Sequence, residues 1–350
     1  MTKPVGRWIR RLTLAGLLLC FGVVVLGAYV RLTAAGLGCP DWPGCYGQAT
    51  PLGAAQNAAA QAAFPNRPLD VGKAWREMIH RYAASTLGFI IVLIAALSLS
   101  AREAAPVRAR YAVALLGTVV VQGALGMLTV TWQLKPLIVT LHLIFGMTTL
   151  SLLWWLWLTA HHAADSATPA PRSTGLVAAR RGRRLALLAL AVLALQIALG
   201  GWTSSNYAAI ACPDFPTCQG AWWPAMDARD AFTLWHAPAI NYDGGVLTNV
   251  ARAAIHFTHR LGALALTLTL LVAVGYTLRQ RALHAARHAA VWVLAALALQ
   301  LTIGISMVVR GFPLWLATAH NAGAALTLLA VLAWLQALMR AARPAGGLGT

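Results

Sequence analysis

Acid is what this chain has least of. Only 9 of its 350 residues are Asp or Glu and 10% are charged at all, against roughly 25% in soluble domains. That balance excludes an ordinary soluble protein. It also excludes a di-iron carboxylate centre, which draws several glutamates into one helix bundle. Cysteine is scarce, with 5 residues and no Cys-x-x-Cys pair, so structural zinc has no framework here. No small residue precedes Cys20 in Leu17-Leu-Leu-Cys20, which argues against a lipoprotein cleavage site and leaves Cys20 as a packed or lipid-facing thiol. The apolar core that follows Arg11 is longer than the ~7–15 residues of a secretory signal, so it reads as an uncleaved anchor. The formal charge of +18 carries no aromatic interleaving, and a nucleic-acid platform is therefore not expected.

What is present is apolar: 59% of residues are hydrophobic. Eight stretches reach the ~20 residues that a spanning helix needs. They are Leu12–Leu32, Met78–Leu99, Tyr111–Thr131, Leu137–Thr159, Leu185–Ser205, Ala254–Leu278, Ala289–Val309 and Leu314–Met339. The chain reads as an all-α polytopic membrane protein. Its arginines sit in alternate connections, at Arg7, Arg10 and Arg11, at Arg102, Arg108 and Arg110, at Arg172 and Arg180–Arg184, at Arg279, Arg281 and Arg287, and at Arg340 and Arg343. The positive-inside rule then makes both termini cytoplasmic and puts the two long loops, 33–77 and 206–253, outside.

The second half repeats the first. The offset in residue number is 173 from Cys39 to Cys212, 179 from His80 to His259, and 178 both from Gln122 to Gln300 and from His142 to His320. Each half begins and ends inside, so these are parallel repeats, unlike the inverted repeats of many transporters. The expected organisation is two tandem four-helix units, 1–160 and 185–350, joined by a Pro-, Ser-, Thr- and Arg-rich cytoplasmic linker, 161–184. In both outer loops two prolines lie between paired cysteines, Cys39-Pro-Asp-Trp-Pro-Gly-Cys45 and Cys212-Pro-Asp-Phe-Pro-Thr-Cys218. On the oxidising side such pairs close as disulfides, here Cys39–Cys45 and Cys212–Cys218. Residues 51–63 suit a short surface helix, and Trp222, Trp223 and Trp235 suit the headgroup level. His161, His162, His236, His284 and His288 read as solvent-accessible loop or helix-end residues.

Chemistry concentrates at Glu77-Met-Ile-His80-Arg81 and its counterpart His256-Phe-Thr-His259-Arg260. Ionisable groups are costly in lipid, which marks both as functional. Glu77 and His80, one turn apart, share a helix face. His142 and His320 stand at similar depth on the fourth and eighth spans, so each unit aims two imidazoles at one cavity, an arrangement that suits the axial ligation of haem iron. Zinc or copper would need further ligands, and only His256 is on offer. Gly88, Gly146, Gly262 and Gly323 leave room near the backbone for a macrocycle, and close helix packing explains them as well. Arg81 and Arg260 are placed for haem propionates or for snorkelling to lipid phosphate. Arg31 aligns with Ser204, an asymmetry assigned to the substrate side.

At these residues the chain resembles the haem A synthases. The likeness spans eight helices in two units, both cysteine pairs, the Glu77-x-x-His80-Arg81 opening, the four histidines, and Gly27-Ala-Tyr-Val-Arg31-Leu-Thr running into Gly38-Cys39-Pro-Asp-Trp-Pro. The resemblance implies oxidation of the C8 methyl group of haem O to a formyl group in a bacterial inner membrane. His80 and His142 would hold haem O or its haem A product, His259 and His320 a haem B, and Glu77 would act beside the first site. Haem O synthase and a terminal oxidase would be pathway partners, with the electron donor and any homo-oligomer left open. Two strong ligands leave iron no vacant position, so His80 or His142 must let go or the reaction must proceed by electron removal. The rival readings are a di-haem b-type electron carrier, in which Glu77 is dispensable, and a haem transporter.

Overall fold

A computed structural model describes residues 3–101, 106–162, 173–235 and 241–342. Among these residues the structure is helical without strands. Eight helices are long and apolar enough to cross a membrane, so the chain is a multi-pass helical membrane protein. They are α1 (Lys3–Leu32), α4 (Val71–Ser100), α5 (Pro106–Thr131), α6 (Pro136–His162), α7 (Ser173–Ser205), α9 (Asn249–Arg279), α10 (His284–Val309) and α11 (Leu314–Ala341). Three short helices occupy the long loops: α2 (Pro51–Ala55), α3 (Ala58–Ala62) and α8 (Ala228–Ala231). Two helices therefore stand where one was expected over 51–63, each capped by its own side chain, Thr50 or Asn57.

Several helices begin before their apolar runs. Asp70 accepts from the Lys73 amide and starts α4 well ahead of Met78, because a capped polar turn holds its own backbone donors without lipid. Helix also runs into the expected 161–184 connection from both sides: α6 continues to His162 and α7 starts at Ser173. Only 163–172 falls between them, and that stretch lies outside the described residues with Arg172. Ala178 and Ala179 are buried, so small helix-forming residues carry α7 through the arginine cluster. Arg102, His236 and Arg343 also lie outside the described residues.

Helix contacts close into two rings. In the first half α1 packs on α4 and α6, and α5 packs on the same two; in the second, α7 packs on α9 and α11, and α10 packs on those two. Thus α4 and α6 stand at opposite corners, as do α9 and α11. Contacts of α1 with α11, α6 with α7 and α6 with α11 join the halves, and Trp154 Nε1 donates to the Leu329 carbonyl at 2.9 Å across this seam. Leu150, Leu153, Leu270, Val293, Trp334 and Leu338 belong to one continuous core. Cys20 lies in it too, which settles that thiol as packed. Among the spans α11 is the most enclosed, buried over 61% of its apolar window against 17% for α5 and α10. It is the central post, and α5 and α10 are outer walls.

Candidate functional site

Each of the four histidines interrupts a buried stripe. On α4, Ala74, Glu77 and Met78 are buried and full burial resumes at Leu87; His80 lies half-buried between them. On α9 the stripe breaks between His256 and Leu266 around His259, and on α11 between Leu316 and Gly323 around His320. On α6 it breaks between Thr140 and Met147 around His142. At ~1.5 Å per residue, His80 and His259 stand roughly 14–15 Å along their helices and His142 and His320 about 9 Å along theirs.

Every imidazole rests on a glycine of a neighbouring helix. A Cβ at Gly27 would lie 3.0 Å from His80 Cε1, at Gly126 3.3 Å from His142 Cε1, at Gly200 3.2 Å from His259 Cε1, and at Gly304 2.9 Å from His320 Cε1. A side chain at these positions would press on the ring, hardest at Gly304, where the approach is under 3.0 Å. Gln122 and Gln300 carboxamides each come within 3.3 Å of Nε2 of His142 and His320, and Gln196 Nε2 lies 3.1 Å from His259 Nδ1. The buried Nδ1 atoms of His80, His142 and His320 have no partner among the described residues. His80 and His142 are close enough to interact electrostatically, as are His259 and His320. Among the described residues no three His, Cys, Asp or Glu side chains converge on one point. What the fold offers a metal is therefore a pair of imidazoles per half on diagonal helices, with interrupted packing and, at His80, His142 and His320, an uncommitted Nδ1, and this fits a haem better than a compact ion.

Of the four glycines read as room for a macrocycle or as close helix packing, three show the packing. Gly146, Gly262 and Gly323 seat the carboxamides of Gln122, Gln196 and Gln300, and Gly88 has nothing within 4 Å. The glycines under the rings were missed, although their offsets, 173 for Gly27–Gly200 and 178 for Gly126–Gly304, match the spacing of the repeat and were the available signal.

Above the histidines lie the cysteine rings. Cys39–Cys45 and Cys212–Cys218 are disulfide-bonded. Asp41 accepts from the Tyr46 and Gly47 amides, and Asp214 from those of Gln219 and Gly220. The Thr217 hydroxyl also donates to Asp214, and these bonds, the hydroxyl first, hold its carboxyl down at about 2. Arg81 and Arg260 are clamps on these rings. Arg81 donates to the carbonyls of Asp41, Pro43 and Gly44, and Arg260 to those of Cys212, Asp214 and Thr217. A ligand carboxylate would meet guanidiniums already engaged by carbonyls. Trp222, Trp223 and Trp235 are exposed.

Glu77 is buried with both oxygens engaged. One pairs with Arg81, and the other accepts from the Cys39 amide at 2.8 Å. At the equivalent place His256 Nε2 accepts from Arg260 Nε at 3.2 Å, so that lone pair is not free for a metal. Arg31 reaches across the seam to the carbonyl of Ser204, its own repeat position, and lies over the Tyr207 ring at 4.0 Å.

Fold and site together define a class: an eight-span helical membrane protein presenting imidazole pairs beneath clamped disulfide rings. Comparison with known proteins narrows it. A family model described as cytochrome oxidase assembly protein matches residues 10–332. A haem A synthase of Shewanella oneidensis is 41% identical, the alignment covering 92% of this chain and 93% of that one. Haem A synthases of Methylobacterium sp. and Halalkalibacterium halodurans are 30% and 27% identical over 89% of this chain, covering 86% and 91% of theirs. The chain belongs to the cytochrome oxidase assembly family, that of the haem A synthases.

Proposed function

We propose that this protein is itself a haem A synthase, a membrane oxidoreductase that converts the C8 methyl group of haem O to a formyl group. The observation that carries the reading is the single acid: each half presents two histidines on diagonal helices, and Glu77 is the one buried carboxylate among the described residues. The first four-helix unit takes haem O between His80 and His142. The second keeps haem B between His259 and His320. Haem iron, when bound, supplies the redox centre through which electrons leave the methyl group.

The chain's own residues do the rest. The glycine cradles set ring depth, and the interrupted stripes receive the macrocycle. Glu77, one turn from His80, would serve the carbon being oxidised either as acceptor of its protons or as an anion that stabilises positive charge there. Its bond to the Cys39 amide and its pair with Arg81 fix where that charge stands. The arginine-bearing connections face the cytoplasm of a bacterial cell and both haem sites lie toward the outer side. Haem O synthase supplies the substrate and a terminal oxidase consumes the product.

Co-expression with a haem O supply, followed by pigment extraction, tests this. Wild type yields haem A or its alcohol precursor, and Glu77→Gln yields bound but unconverted haem O. Haem B alone from wild type would make the protein a carrier, and full conversion by Glu77→Gln would remove the acid from the reaction.

A further inference from the structure

Arg31 breaks the repeat at a telling place. Gly27 and Arg31 stand one turn apart on α1 and share a face. The offset of 173 that relates Gly27 to Gly200 also relates Arg31 to Ser204. Gly27 is the cradle of His80 and Gly200 the cradle of His259. One turn beyond the first cradle the chain therefore carries a guanidinium, and one turn beyond the second it carries the carbonyl which that guanidinium takes. Arg31 Nη2 donates to the Ser204 carbonyl at 3.1 Å and to the Ser205 carbonyl at 3.3 Å.

The two helix ends are complementary. Each closes with paired amide bonds, from Ala34 to Arg31 and Ala35 to Val30 on α1, and from Tyr207 to Ser204 and Ala208 to Thr203 on α7. The turning residues, Ala34 and Tyr207, are equivalents at the same offset, with φ of +49° and +54° where glycine is the cheaper choice. The first half thus has an arginine and no ring, and the second a ring and no arginine. The guanidinium lies over the Tyr207 ring at 4.0 Å, and the Tyr207 hydroxyl donates to Asp243 at 2.8 Å. A helix leaves its last carbonyls without donors of its own, and a cation also meets the negative end of the α7 dipole. Helix α6 reaches the same turn: the Thr140 and Ser205 hydroxyls are 3.2 Å apart, and Leu143 packs on Gly201.

Building on the haem sites proposed above, we propose that Arg31 is a positioning residue for both of them, tying the end of α1 to the end of α7 and so holding the cradles of His80 and His259 in one register. A single turn of hydrogen-bonded helix separates the tie from each cradle, and a rigid element passes displacement along its length. The other two cradles, Gly126 and Gly304, belong to α5 and α10, which take no part in the tie.

Arg31→Met keeps the reach of the side chain and removes its donors. Amide exchange at Tyr207 and Ala208 should quicken, a readout that needs no haem. In the holoprotein both haems should pass to a scavenger roughly 2–30-fold faster, and both low-spin ferric EPR signals should broaden. Double-mutant cycles on haem retention locate the cause. Arg31→Met should be non-additive with Gly27→Ala and with Gly200→Ala, which already displace the rings that the tie positions, and additive with Gly126→Ala and Gly304→Ala. Tyr207→Leu, which removes only the platform, should act on the same two cradles by a smaller factor. Arg31→Lys, a donor without the planar fork, should fall between wild type and Arg31→Met. These two variants carry the same cycles if Arg31→Met does not fold. Additivity with all four cradles, equal non-additivity with all four, or unchanged exchange at Tyr207 and Ala208 would each overturn the proposal. A wild type without a low-spin bis-imidazole spectrum would remove the haem sites and the positioning role with them, while quickened exchange in Arg31→Met would leave the tie between α1 and α7 standing.

Discussion

Replacing a cradle glycine with alanine should displace one imidazole by an amount that can be read in advance. Ordinary contact begins near 3.4 Å, and the added Cβ would approach its ring to 2.9 Å at Gly304, 3.0 Å at Gly27, 3.2 Å at Gly200 and 3.3 Å at Gly126. Overpacking of this kind costs ~1–3 kcal/mol where the neighbour cannot move, and alanine returns ~0.8–1 kcal/mol of helix propensity. The net loss is then at most about 2 kcal/mol, largest at Gly304 and Gly27, a factor of up to roughly 30 in the population of the well-placed ring. At Gly126 the two terms nearly cancel. With haem held as proposed, haem retained per chain after incubation with a haem scavenger, together with the low-spin ferric EPR signal, should therefore worsen in the order Gly126, Gly200, Gly27, Gly304. Gly22→Ala and Gly117→Ala, which meet nothing within 4 Å, are the controls and should keep all haem. Equal losses at all four cradles, or losses at the controls as large as at Gly304, would refute the view that ring seating sets haem affinity.

The arginine clamps should differ in worth. Arg81→Ala strands a buried carboxylate and should destabilise the detergent-solubilised protein by about 3–5 kcal/mol, whereas Arg260→Ala leaves only neutral acceptors and should cost about 1–3 kcal/mol; equal unfolding shifts would contradict this. Opening either disulfide, each closing a separation of six residues, should cost about 2 kcal/mol by loop entropy, and the double opening should be additive because the rings are independent. Asp214 should titrate near 2, not at its usual 3.8. A carboxyl lowered on folding adds stability above its ordinary value and loses it as pH falls through the folded one, so the second loop should keep its shape at pH 4 and loosen only near pH 2. A carboxyl NMR titration at the ordinary value would show that the Thr217 and amide bonds do not form.

The spans were legible because lipid makes the pattern nearly binary: a run of about 20 apolar residues has few other uses. Helix starts were not, since Asp70 and Ser173 begin polar turns that hydropathy cannot distinguish from loop. The disulfides followed from paired cysteines on one side of the membrane. The glycine cradles and glutamine seats were hidden for a different reason: each is a contact between two helices, and one sequence shows the residues without showing which faces meet. The carbonyl partners of Arg81 and Arg260 were hidden in the same way, because a cation at a helix end serves a propionate, a phosphate or a carbonyl ring equally well until the loop's path is known.

Those clamps explain how an acid survives at position 77. A lone carboxylate in an apolar bundle would be neutralised or forced outward. Here Arg81 and the Cys39 amide both face it, and Arg81 in turn is held by three carbonyls of the ring that Cys39 closes. Ring, guanidinium and carboxylate thus form one unit, and the cysteine bond acts at a distance by keeping the Cys39 amide aimed inward. In the second half the same ring and the same arginine stand over a neutral imidazole, His256. The scaffold that tolerates an anion is therefore present twice and filled with one only once, in the first half.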